Sequence, residues 1–427
     1  MPQHLPLLAL NFDYYPAYSG ELLNNRYEVL RNAGGGAHSS VWFVQDTKFD
    51  KNGSGDAGKR AGCEYLAVKI LTAEMTRRHT AGQCREQQLM ERIQAQGEHT
   101  WGLPVLCDCF HTTSPFGSHL CLVMPILGGS ISDLRKAAPG KALPVHLVKN
   151  IITQLVKAVA QLHELGIIHT DIKPANILVN SVRSDRDIEK YLEQNPPEYD
   201  GYFQLPIRDE SELPDINSLS LEETGERRTF VEHRRLVVQP LALPLTWDCS
   251  PKDAELINIT LVDFGKAQAA GEQPTVEEFA PLGLRSPEEI LHSYFGPKID
   301  IWAIGCLTFE FLTGRWLFHP EEGETWTLDD DHLAKMLELT GEQFNDTMLN
   351  FSLRKEDFFD DDFNLKNIPD LIPLSIDEAI SVYEKVPESE VGPAADFIRT
   401  CLRLDPLQRP SAKDLEQHPW LKNAFSC

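Results

Sequence analysis

Hydrophobic and polar residues alternate along the first part of the chain, with a repeat of two that predicts β-strands. The stretches "RYEVLRN" and "SSVWFVQD" flank a glycine-rich turn, so together they predict a β-hairpin. Two further strands are predicted by "EYLAVKIL" (Glu64 to Leu71) and by "HLCLVMPIL". One helix is predicted over residues 80 to 95. The first part of the chain is therefore predicted to be mostly sheet.

The repeat changes after Gly128, where apolar residues begin to recur at helical spacing. Val145 to Leu165 form a long amphipathic pattern, and "IDIWAIGCLTFEFLTG" is apolar all round, which predicts a buried helix. Further helices are predicted at 332 to 339 and at 393 to 403. We therefore expect an α+β protein with two lobes. A small antiparallel sheet with one helix forms the first, and a larger, mostly helical lobe follows.

Residues 181 to 256 interrupt this pattern with little periodicity and look like a long insertion. A partner-binding or localising segment and a tolerated surface spacer are both open interpretations. The predicted organisation is an N-terminal extension (1–26), a small lobe (27–127), a large lobe in two parts (128–180 and 257–421) around the insertion (181–256), and a tail (422–427).

The net charge of −24 disfavours direct binding to nucleic acid. Residues 321–362 hold fourteen acids and three bases, so −11 of that charge lies there. This segment is either a solvated acidic face or a surface that recruits a basic partner.

The chain has no run of eighteen apolar residues, so no membrane span is predicted. Its first residues lack the basic region of a secretory signal, and its nine cysteines are scattered. Reduced thiols and a location in the cytoplasm and/or nucleus are expected. A monomer is expected.

The stretch "ELGIIHTDIKPANILVN" places Asp171, Lys173 and Asn176 within six residues, between two apolar runs. Such polar groups are expected in a loop that a rigid scaffold holds. Asp263 in "LVDFGKA" follows a predicted strand in the same way, although an isolated Asp-Phe-Gly is an ordinary turn more often than a metal site.

Two features of the first lobe suggest binding of phosphate. "AGGGAHSSV" has Gly34, Gly36 and Ser39 at the spacing of a phosphate-binding loop, although a plain hairpin turn has the same composition. A strand follows these glycines, which excludes a dinucleotide-binding βαβ unit. Lys69 lies inside an apolar strand and needs an anionic partner, which Glu86 on the next helix offers; an edge lysine that reaches solvent is the alternative.

These elements occur in the order glycine-rich hairpin, V-x-K, helical Glu, H-x-D-x-K-x-x-N, D-F-G and "SPEE". From about Tyr27 to Leu421 the chain resembles the eukaryotic protein kinases, which carry these motifs in this order. The lysine in "DIKPAN" is typical of serine/threonine kinases.

The resemblance implies a role for each residue of the loop. Asp171 would accept or orient the proton of the substrate hydroxyl, and Lys173 would stabilise the transferring phosphoryl group. Asn176 and Asp263 would hold Mg²⁺, since hard oxygen ligands suit that ion.

The resemblance also implies an ATP site. Lys69, paired with Glu86, would contact the α- and β-phosphates. The glycine loop would cover the phosphates, and the remaining residues would surround the adenine. The implied ATP-binding residues are Ala33, Gly34, Gly35, Gly36, Ala37, His38, Ser39, Val41, Ala67, Lys69, Met124, Pro125 and Leu127.

Within the kinases, the chain resembles the SR-protein kinase family. "HTDIKPANIL" with a long insertion after it, the Val41-Trp42 pair, and "TLDDDHLAKMLELTG" carry this resemblance. Thr170 replaces the arginine that binds activation-loop phosphate in most kinases, so gating by loop phosphorylation is not expected. The corresponding loop of this chain, "KAQAAGEQPTVEEFAPLG", is short and offers only Thr275 as a site of phosphorylation.

In that family, acids of the region that corresponds to residues 321–362 of this chain form a docking groove for arginine/serine-rich substrates. Asp331 and Glu338 stand at matching positions, seven residues apart and so on one face of the predicted helix. Arg315 departs from the family, which has an acid there. We expect a serine/threonine kinase that uses Mg·ATP on basic or Arg/Ser-rich, splicing-factor-like proteins. A kinase-fold scaffold without phosphotransfer and a small-molecule phosphotransferase are the alternatives.

Overall fold

The structure is a computed structural model that describes residues 13–49, 63–97, 100–180, 184–206, 230–241, 243, 246–272 and 279–422. Twelve strands lie in this part of the chain. They are β1 (Leu22–Leu23), β2 (Tyr27–Gly36), β3 (Ser39–Asp46), β4 (Tyr65–Leu71), β5 (Asp108–Ser114), β6 (Gly117–Pro125), β7 (Ile167–Ile168), β8 (Ile177–Asn180), β9 (Tyr199–Pro206), β10 (Phe230–Leu236), β11 (Asn258–Leu261) and β12 (Gln268–Ala269).

Fifteen α-helices lie in the same described residues. They are α1 (Ala73–Thr80), α2 (Glu86–Gln94), α3 (Ile131–Ala137), α4 (Val145–Glu164), α5 (Asp185–Gln194), α6 (Pro251–Ala254), α7 (Pro287–Ile290), α8 (Lys298–Thr313), α9 (Leu328–Thr340), α10 (Asp346–Asn350), α11 (Lys355–Phe358), α12 (Ile376–Ser381), α13 (Glu388–Cys401), α14 (Ala412–Leu415) and α15 (Pro419–Lys422). Strands followed by helices confirm the predicted α+β class.

The chain divides into two compact units. Unit 1 comprises Met1–Gln83, Val105–Ile126 and Val182–Leu241. It is built on a six-stranded antiparallel sheet in the order β1-β2-β3-β4-β6-β5. Alternate residues of these strands, such as Val44 and Val68, are fully buried on one face of the sheet, as the repeat of two requires.

The predicted hairpin and the two predicted strands are confirmed as β2 to β4 and β6. The helix predicted over residues 80 to 95 is observed as α2 alone, and a separate helix, α1, precedes it. Thr72 begins α1 because its side chain accepts a hydrogen bond from the Met75 amide. Gly82, with a φ of 73°, lies in the turn that separates the two helices.

Unit 2 comprises Cys84–Pro104, Leu127–Ser181 and Ala242–Cys427. Helix α8 forms its centre, since fifteen of its sixteen residues are buried, as its apolar sequence predicts. Gly314 ends α8 with a φ of 77°, and a side chain there would meet the Gly140 carbonyl oxygen at 2.0 Å. Helix α4 packs one apolar face inward, which confirms the predicted amphipathic helix.

Two small antiparallel sheets of unit 2 bring two loops side by side. β8 pairs with β11, so that Ile177 lies opposite Leu261, and β7 pairs with β12. The loop 169–176 joins β7 to β8, and the loop 262–267 joins β11 to β12. The predicted polar residues of both loops therefore lie at one end of these sheets.

The insertion contains α5, β9, β10 and α6, although the sequence showed little periodicity there. A capping box at Ser184 and Asp187 begins α5, and β9 and β10 pair as an antiparallel hairpin. No helix in the part of the chain that the structure describes is long and apolar enough to cross a membrane.

Candidate active site

Asp300 holds the backbone of the loop 169–176. Its Oδ2 accepts a hydrogen bond from the His169 amide at 2.9 Å, and its Oδ1 accepts one from the Thr170 amide at 2.9 Å. His163 Nε2 lies 2.9 Å from Oδ2 of the same carboxylate. Thr170 has a φ of 69°, a left-handed conformation that these bonds stabilise. Asp300 is the single acid in the first turn of the apolar helix α8, which is the signal that could have identified it from sequence.

Asp171 is buried, and its two carboxylate oxygens have different surroundings. Oδ2 accepts hydrogen bonds from Lys173 Nζ at 2.6 Å and from Asn176 Nδ2 at 3.3 Å. Oδ1 is also buried but has no hydrogen-bond partner among the described residues. The three predicted residues of this loop therefore meet at one carboxylate and leave one oxygen of it available.

Asn176 and Asp263 lie on neighbouring strand ends. The Asn176 carbonyl oxygen accepts a hydrogen bond from the Val262 amide at 2.9 Å, directly before Asp263. Asn176 Nδ2 also donates to the Asp171 carbonyl oxygen at 2.9 Å, which leaves the amide oxygen as the atom that can bind a cation. Asp263 adopts a left-handed φ of 71° at the turn.

The Glu86 carboxylate lies near the turn that follows Asp263. A side chain at Gly265 would lie 3.3 Å from Asp263 Oδ1 and 3.9 Å from Glu86 Oε2. Both carboxylates therefore lie close to Gly265. Phe264 is buried and packs edge-on against the His169 ring at 5.1 Å, which ties the two loops together.

The amide and carboxylate oxygens of Asn176 and Asp263 fit Mg²⁺, which binds through one or two protein oxygens together with substrate phosphates. Within the described residues there is no cluster of three or more His, Cys, Asp or Glu that could hold a metal ion alone. This site therefore suits a cation that arrives with a phosphate ligand.

Unit 1 carries the predicted residues of the ATP site on adjacent strands. Gly34, Gly35 and Gly36 of β2 pair with Val41, Ser40 and Ser39 of β3. A side chain at Gly35 would meet the Ser39 carbonyl oxygen at 2.7 Å, so the tight hairpin requires glycine there. The His38 carbonyl oxygen accepts the Thr72 amide at 2.9 Å, and Ala37 completes the turn.

The strand register aligns the remaining residues of this group. Val41 lies opposite Lys69, Ala67 lies opposite Met124, and Leu66 lies opposite Pro125. Lys69 is largely buried in the middle of β4. Lys69 belongs to unit 1, while Glu86 belongs to unit 2, so the pairing of Lys69 with Glu86 stays a prediction. The same holds for Leu127 of unit 2 and its predicted place beside Ala33 and the other adenine-binding residues of unit 1.

The segment that follows Asp263 is held in place by hydrogen bonds between unphosphorylated residues. Thr170 Oγ1 donates to the Lys266 carbonyl oxygen at 3.0 Å, and Lys266 Nζ donates to the Phe279 carbonyl oxygen at 2.6 Å. Glu289 Oε1 accepts the amides of Phe279 and Ala280 at 3.3 and 3.0 Å, and burial raises the pKa of this carboxyl. Thr275 lies outside the described residues.

The two predicted docking acids already have partners. Asp331 Oδ2 accepts the Glu321 amide at 2.7 Å and also pairs with Lys335 one turn further along α9. Glu338 Oε1 accepts the Ile372 amide at 2.8 Å. The structure therefore places both acids on α9 with structural contacts, and their role in docking stays a prediction.

Comparisons with known proteins identify relatives. The family profile described as the protein kinase domain matches residues 51–188 and 251–421. The chain is 27% identical over 412 residues to the serine/threonine-protein kinase SRPK of Physarum polycephalum, covering 96% of this chain and 88% of the relative. It is 26% identical to the protein kinase dsk1 of Schizosaccharomyces pombe, covering 96% and 83%.

A mammalian relative and a solved structure agree with these. The chain is 24% identical to SRSF protein kinase 3 of Mus musculus, covering 96% of this chain and 88% of the relative. A crystal structure of a kinase domain aligns with a TM-score of 0.61 at 21% identity, covering 96% of this chain and 98% of that chain. At that identity the structural likeness concerns the fold alone.

Proposed function

From the premise that this chain belongs to the protein kinase domain family and is a serine/threonine protein kinase similar to the SR-protein kinases, we propose that it phosphorylates arginine/serine-rich proteins with Mg·ATP. We further propose that it does so without activation by loop phosphorylation. Cytoplasm and/or nucleus is the proposed location, in keeping with a role in regulating splicing.

The observation that carries this proposal is the asymmetry of the Asp171 carboxylate. Lys173 and Asn176 hold Oδ2, while Oδ1 is buried and unpartnered among the described residues. A buried oxygen without a hydrogen-bond donor is costly, so this oxygen is suited to accept a proton from a substrate hydroxyl. A kinase-fold scaffold that transfers no phosphate gains nothing from the free-energy cost of this unpartnered oxygen.

The reaction follows from these positions. The serine oxygen bonds to the γ-phosphorus, the bond from this phosphorus to the β–γ bridging oxygen breaks, and the serine proton goes to Asp171 Oδ1. Mg²⁺ held by Asn176 and Asp263 would neutralise the phosphate oxygens. The Lys173 ammonium lies 2.6 Å from Asp171 and can stabilise the negative charge of the transferring group while it orients this carboxylate.

The contacts of the segment after Asp263 support activity without a phosphate switch. In kinases that are switched on by phosphorylation, the phosphate supplies charge that orders this segment. Here Lys266 donates to the Phe279 carbonyl oxygen, Glu289 accepts the Phe279 amide, and the Thr170 hydroxyl donates to the Lys266 carbonyl oxygen. Thr170 itself carries no charge with which to bind a phosphate.

The substrate class rests on charge and on the relatives. The −11 charge of residues 321–362 favours basic partners by electrostatic attraction. Relatives that cover 96% of the chain are named as SRPK and SRSF protein kinases. Repeated Arg-Ser pairs offer both the charge for this acidic segment and the hydroxyl for Asp171.

The experiment compares phosphate incorporation from Mg·ATP into two peptides of equal net charge, one with Arg-Ser repeats and one with isolated Arg-x-x-Ser sites. Wild type is run beside Asp171→Ala. We expect wild type to modify the repeats preferentially and Asp171→Ala to modify neither while still binding ADP. Equal labelling of both peptides would remove the Arg/Ser preference. No labelling by wild type, with nucleotide binding intact, would support the kinase-fold scaffold instead.

A further inference from the structure

The part of the insertion that runs up to Leu241 belongs to unit 1 and folds onto its sheet, while the end of the insertion, with α6, belongs to the helical unit 2. Residues Val182–Leu241 fall with this sheet. Asn32 of β2 forms a parallel bridge with Val238, and the Asn32 carbonyl oxygen accepts the Gln239 amide at 2.8 Å. The insertion therefore pairs with the strand that leads into the glycine-rich turn.

A second contact is made to the strand that carries Lys69. Asp185 begins α5, and its carboxylate accepts the backbone amides of Glu64 at 3.0 Å and Tyr65 at 3.4 Å. These residues stand at the start of β4, four to five positions before Lys69. The insertion thus contacts both strands on which the predicted phosphate-binding residues lie.

Helix α5 also extends the apolar surface that is predicted to face adenine. Ile188, Tyr191 and Leu192 of α5 pack in one cluster with residues of the sheet. The other residues from this side of the cluster are Leu30, Ala33, Val41, Phe43, Tyr65 and Ala67 of the sheet, and Ile126 directly after β6. Three of them, Ala33, Val41 and Ala67, are predicted to contact the nucleotide. The insertion and the adenine side of the ATP site therefore share one packed surface.

Arg31 joins this cluster to the glycine-rich turn. Its side chain is buried, with 1% of the residue exposed, and lies two positions before Ala33. Its Nη2 donates to the Asn195 carbonyl oxygen, and its guanidinium lies 5.7 Å from the centre of the Tyr191 ring. Nε and Nη1 have no hydrogen-bond partner among the described residues. Burial of a guanidinium with two unpartnered nitrogens destabilises the fold.

We infer that Tyr191 and Arg31 are positioning residues for the nucleotide: through them the insertion holds the entry of the glycine-rich turn and the apolar surface around Ala33, Val41 and Ala67 in the conformation that binds adenine. This inference rests on the proposed use of ATP. An apolar surface that is already packed binds adenine more tightly than one whose side chains and loops must be ordered during binding, because that ordering reduces the affinity. The insertion is then part of the ATP site and not a spacer.

The test is calorimetric binding of Mg·ADP, together with KM for ATP and kcat on a basic peptide, for wild type, Tyr191→Phe, Tyr191→Ala and Arg235→Ala. Tyr191→Phe keeps the ring over Arg31 and loses only the hydroxyl, which lies 3.4 Å from the Pro240 carbonyl oxygen. Arg235→Ala is the matched control, since it removes an exposed ion pair with Asp200 on the hairpin of the same insertion.

For Tyr191→Ala we expect Kd for Mg·ADP and KM for ATP to rise about five- to tenfold with kcat changed less than about twofold, which is the signature of binding lost equally in the ground state and the transition state. Tyr191→Phe and Arg235→Ala should both match wild type. Thermal unfolding of each variant without nucleotide distinguishes a folding defect from a loss of nucleotide binding. If Tyr191→Ala lowered kcat and the folded fraction but left Kd unchanged, Tyr191 would be merely structural and the inference wrong. Failure of wild type itself to bind Mg·ADP would overturn the proposed use of ATP, and this inference with it.

Discussion

Arg409 and Glu288 form a buried bidentate ion pair in which Nη1 lies 2.6 Å from Oε1 and Nη2 lies 2.8 Å from Oε2. The guanidinium also donates to the carbonyl oxygens of Arg403, Lys298 and Leu404, so each of its three nitrogens has a partner. The pair therefore connects α7, which follows the segment after Asp263, to the turn before α14. A buried ion pair with every nitrogen satisfied fixes these segments in one arrangement.

Removal of one partner from this pair should strongly destabilise unit 2. Glu288→Ala leaves the Arg409 guanidinium buried without its counterion, and we expect a loss of about 3–5 kcal/mol in the free energy of unfolding. Urea denaturation followed by circular dichroism measures this loss. Glu74→Ala is the matched control, because its pair with Arg77 is exposed and should contribute less than about 0.5 kcal/mol. Equal effects of the two substitutions would contradict the role given to burial.

The sequence predicted the grouping of Asp171, Lys173 and Asn176 in one loop, and the structure brings these three side chains into contact. Such residues are predictable because the chemistry restricts their type and spacing within short motifs. The contacts of the insertion were not predictable in this way. Arg31 and Asn195 are 164 residues apart, and no local pattern indicates that they meet.

The role of Asp300 was also missed, although the sequence contained a signal. A buried acid in a mostly apolar helix requires hydrogen-bond donors as partners. The sequence does not tell which donors these are, because the amides of His169 and Thr170 belong to a loop 130 residues earlier. Long-range backbone contacts of this kind depend on the tertiary fold and not on residue type.

Asp300→Asn should reduce catalysis and leave nucleotide binding unchanged. An amide presents one acceptor where two are used, so one of the His169 and Thr170 amides loses its partner and the loop that carries Asp171 shifts. We expect kcat to fall about 10- to 100-fold, since small misplacements of a catalytic group have effects of that size. Steady-state kinetics with calorimetry of Mg·ADP separates the two properties.

The matched control for this prediction is Asp396→Asn on helix α13, where the side chain is exposed. It should leave kcat and the affinity for ADP at the wild-type values. A fall in ADP affinity for Asp300→Asn as large as the fall in kcat would show that Asp300 supports the whole unit and does not specifically position the loop.

His332 should make the protein sensitive to mild acid. Burial, together with nearby Arg285 and Lys335, lowers the pKa of His332 from 6.5 to about 3, and neither ring nitrogen has a hydrogen-bond partner among the described residues. The unfolded chain therefore binds a proton between about pH 6.5 and pH 3 that the folded chain excludes. In this window the free energy of unfolding decreases as the pH falls, by up to about 1.4 kcal/mol per pH unit from this residue.

His332→Leu removes this proton and should reduce the loss of stability between pH 6.5 and pH 5 by about 2 kcal/mol. Urea denaturation at both pH values measures the loss for wild type and variant. His111→Leu is the control, since His111 is exposed on β5 and the same change there should keep the wild-type dependence. An unchanged slope for His332→Leu would mean that the histidine is hydrated or paired in solution.

Activity should depend on the contact of Lys266 with the segment that follows Asp263, and not on phosphorylation of that segment. Thr275→Ala and phosphatase treatment should leave kcat unchanged, because Thr170 offers no charge to a phosphate. Lys266→Met removes the bond to the Phe279 carbonyl oxygen, and we expect kcat to fall about tenfold, since the segment that follows Asp263 loses one of its attachments. Activity assays before and after phosphatase treatment test both statements. A fall in kcat after phosphatase treatment that Thr275→Ala reproduces would contradict them.

Lys335 should limit the recognition of arginine-rich substrates. Its ammonium pairs with Asp331, one of the two acids that the SR-protein kinase resemblance assigns to docking, and so neutralises part of the acidic surface. Lys335→Ala keeps the bond from the Glu321 amide to Asp331 and releases the rest of that carboxylate for an incoming guanidinium. We expect KM for an Arg-Ser repeat peptide to fall about threefold at low ionic strength, with the gain reduced at high salt because the attraction is screened.

Lys157→Ala on the exposed face of α4 changes the net charge of the protein by the same amount and is the matched control. If Asp331 is the docking residue, only Lys335→Ala lowers KM, and Lys335→Ala combined with Asp331→Asn returns KM to the wild-type value or above it. Equal effects of Lys335→Ala and Lys157→Ala would instead assign the preference to net charge. In that case arginine-rich substrates are attracted by the whole acidic segment 321–362, and the neutralised Asp331 is a structural residue of α9.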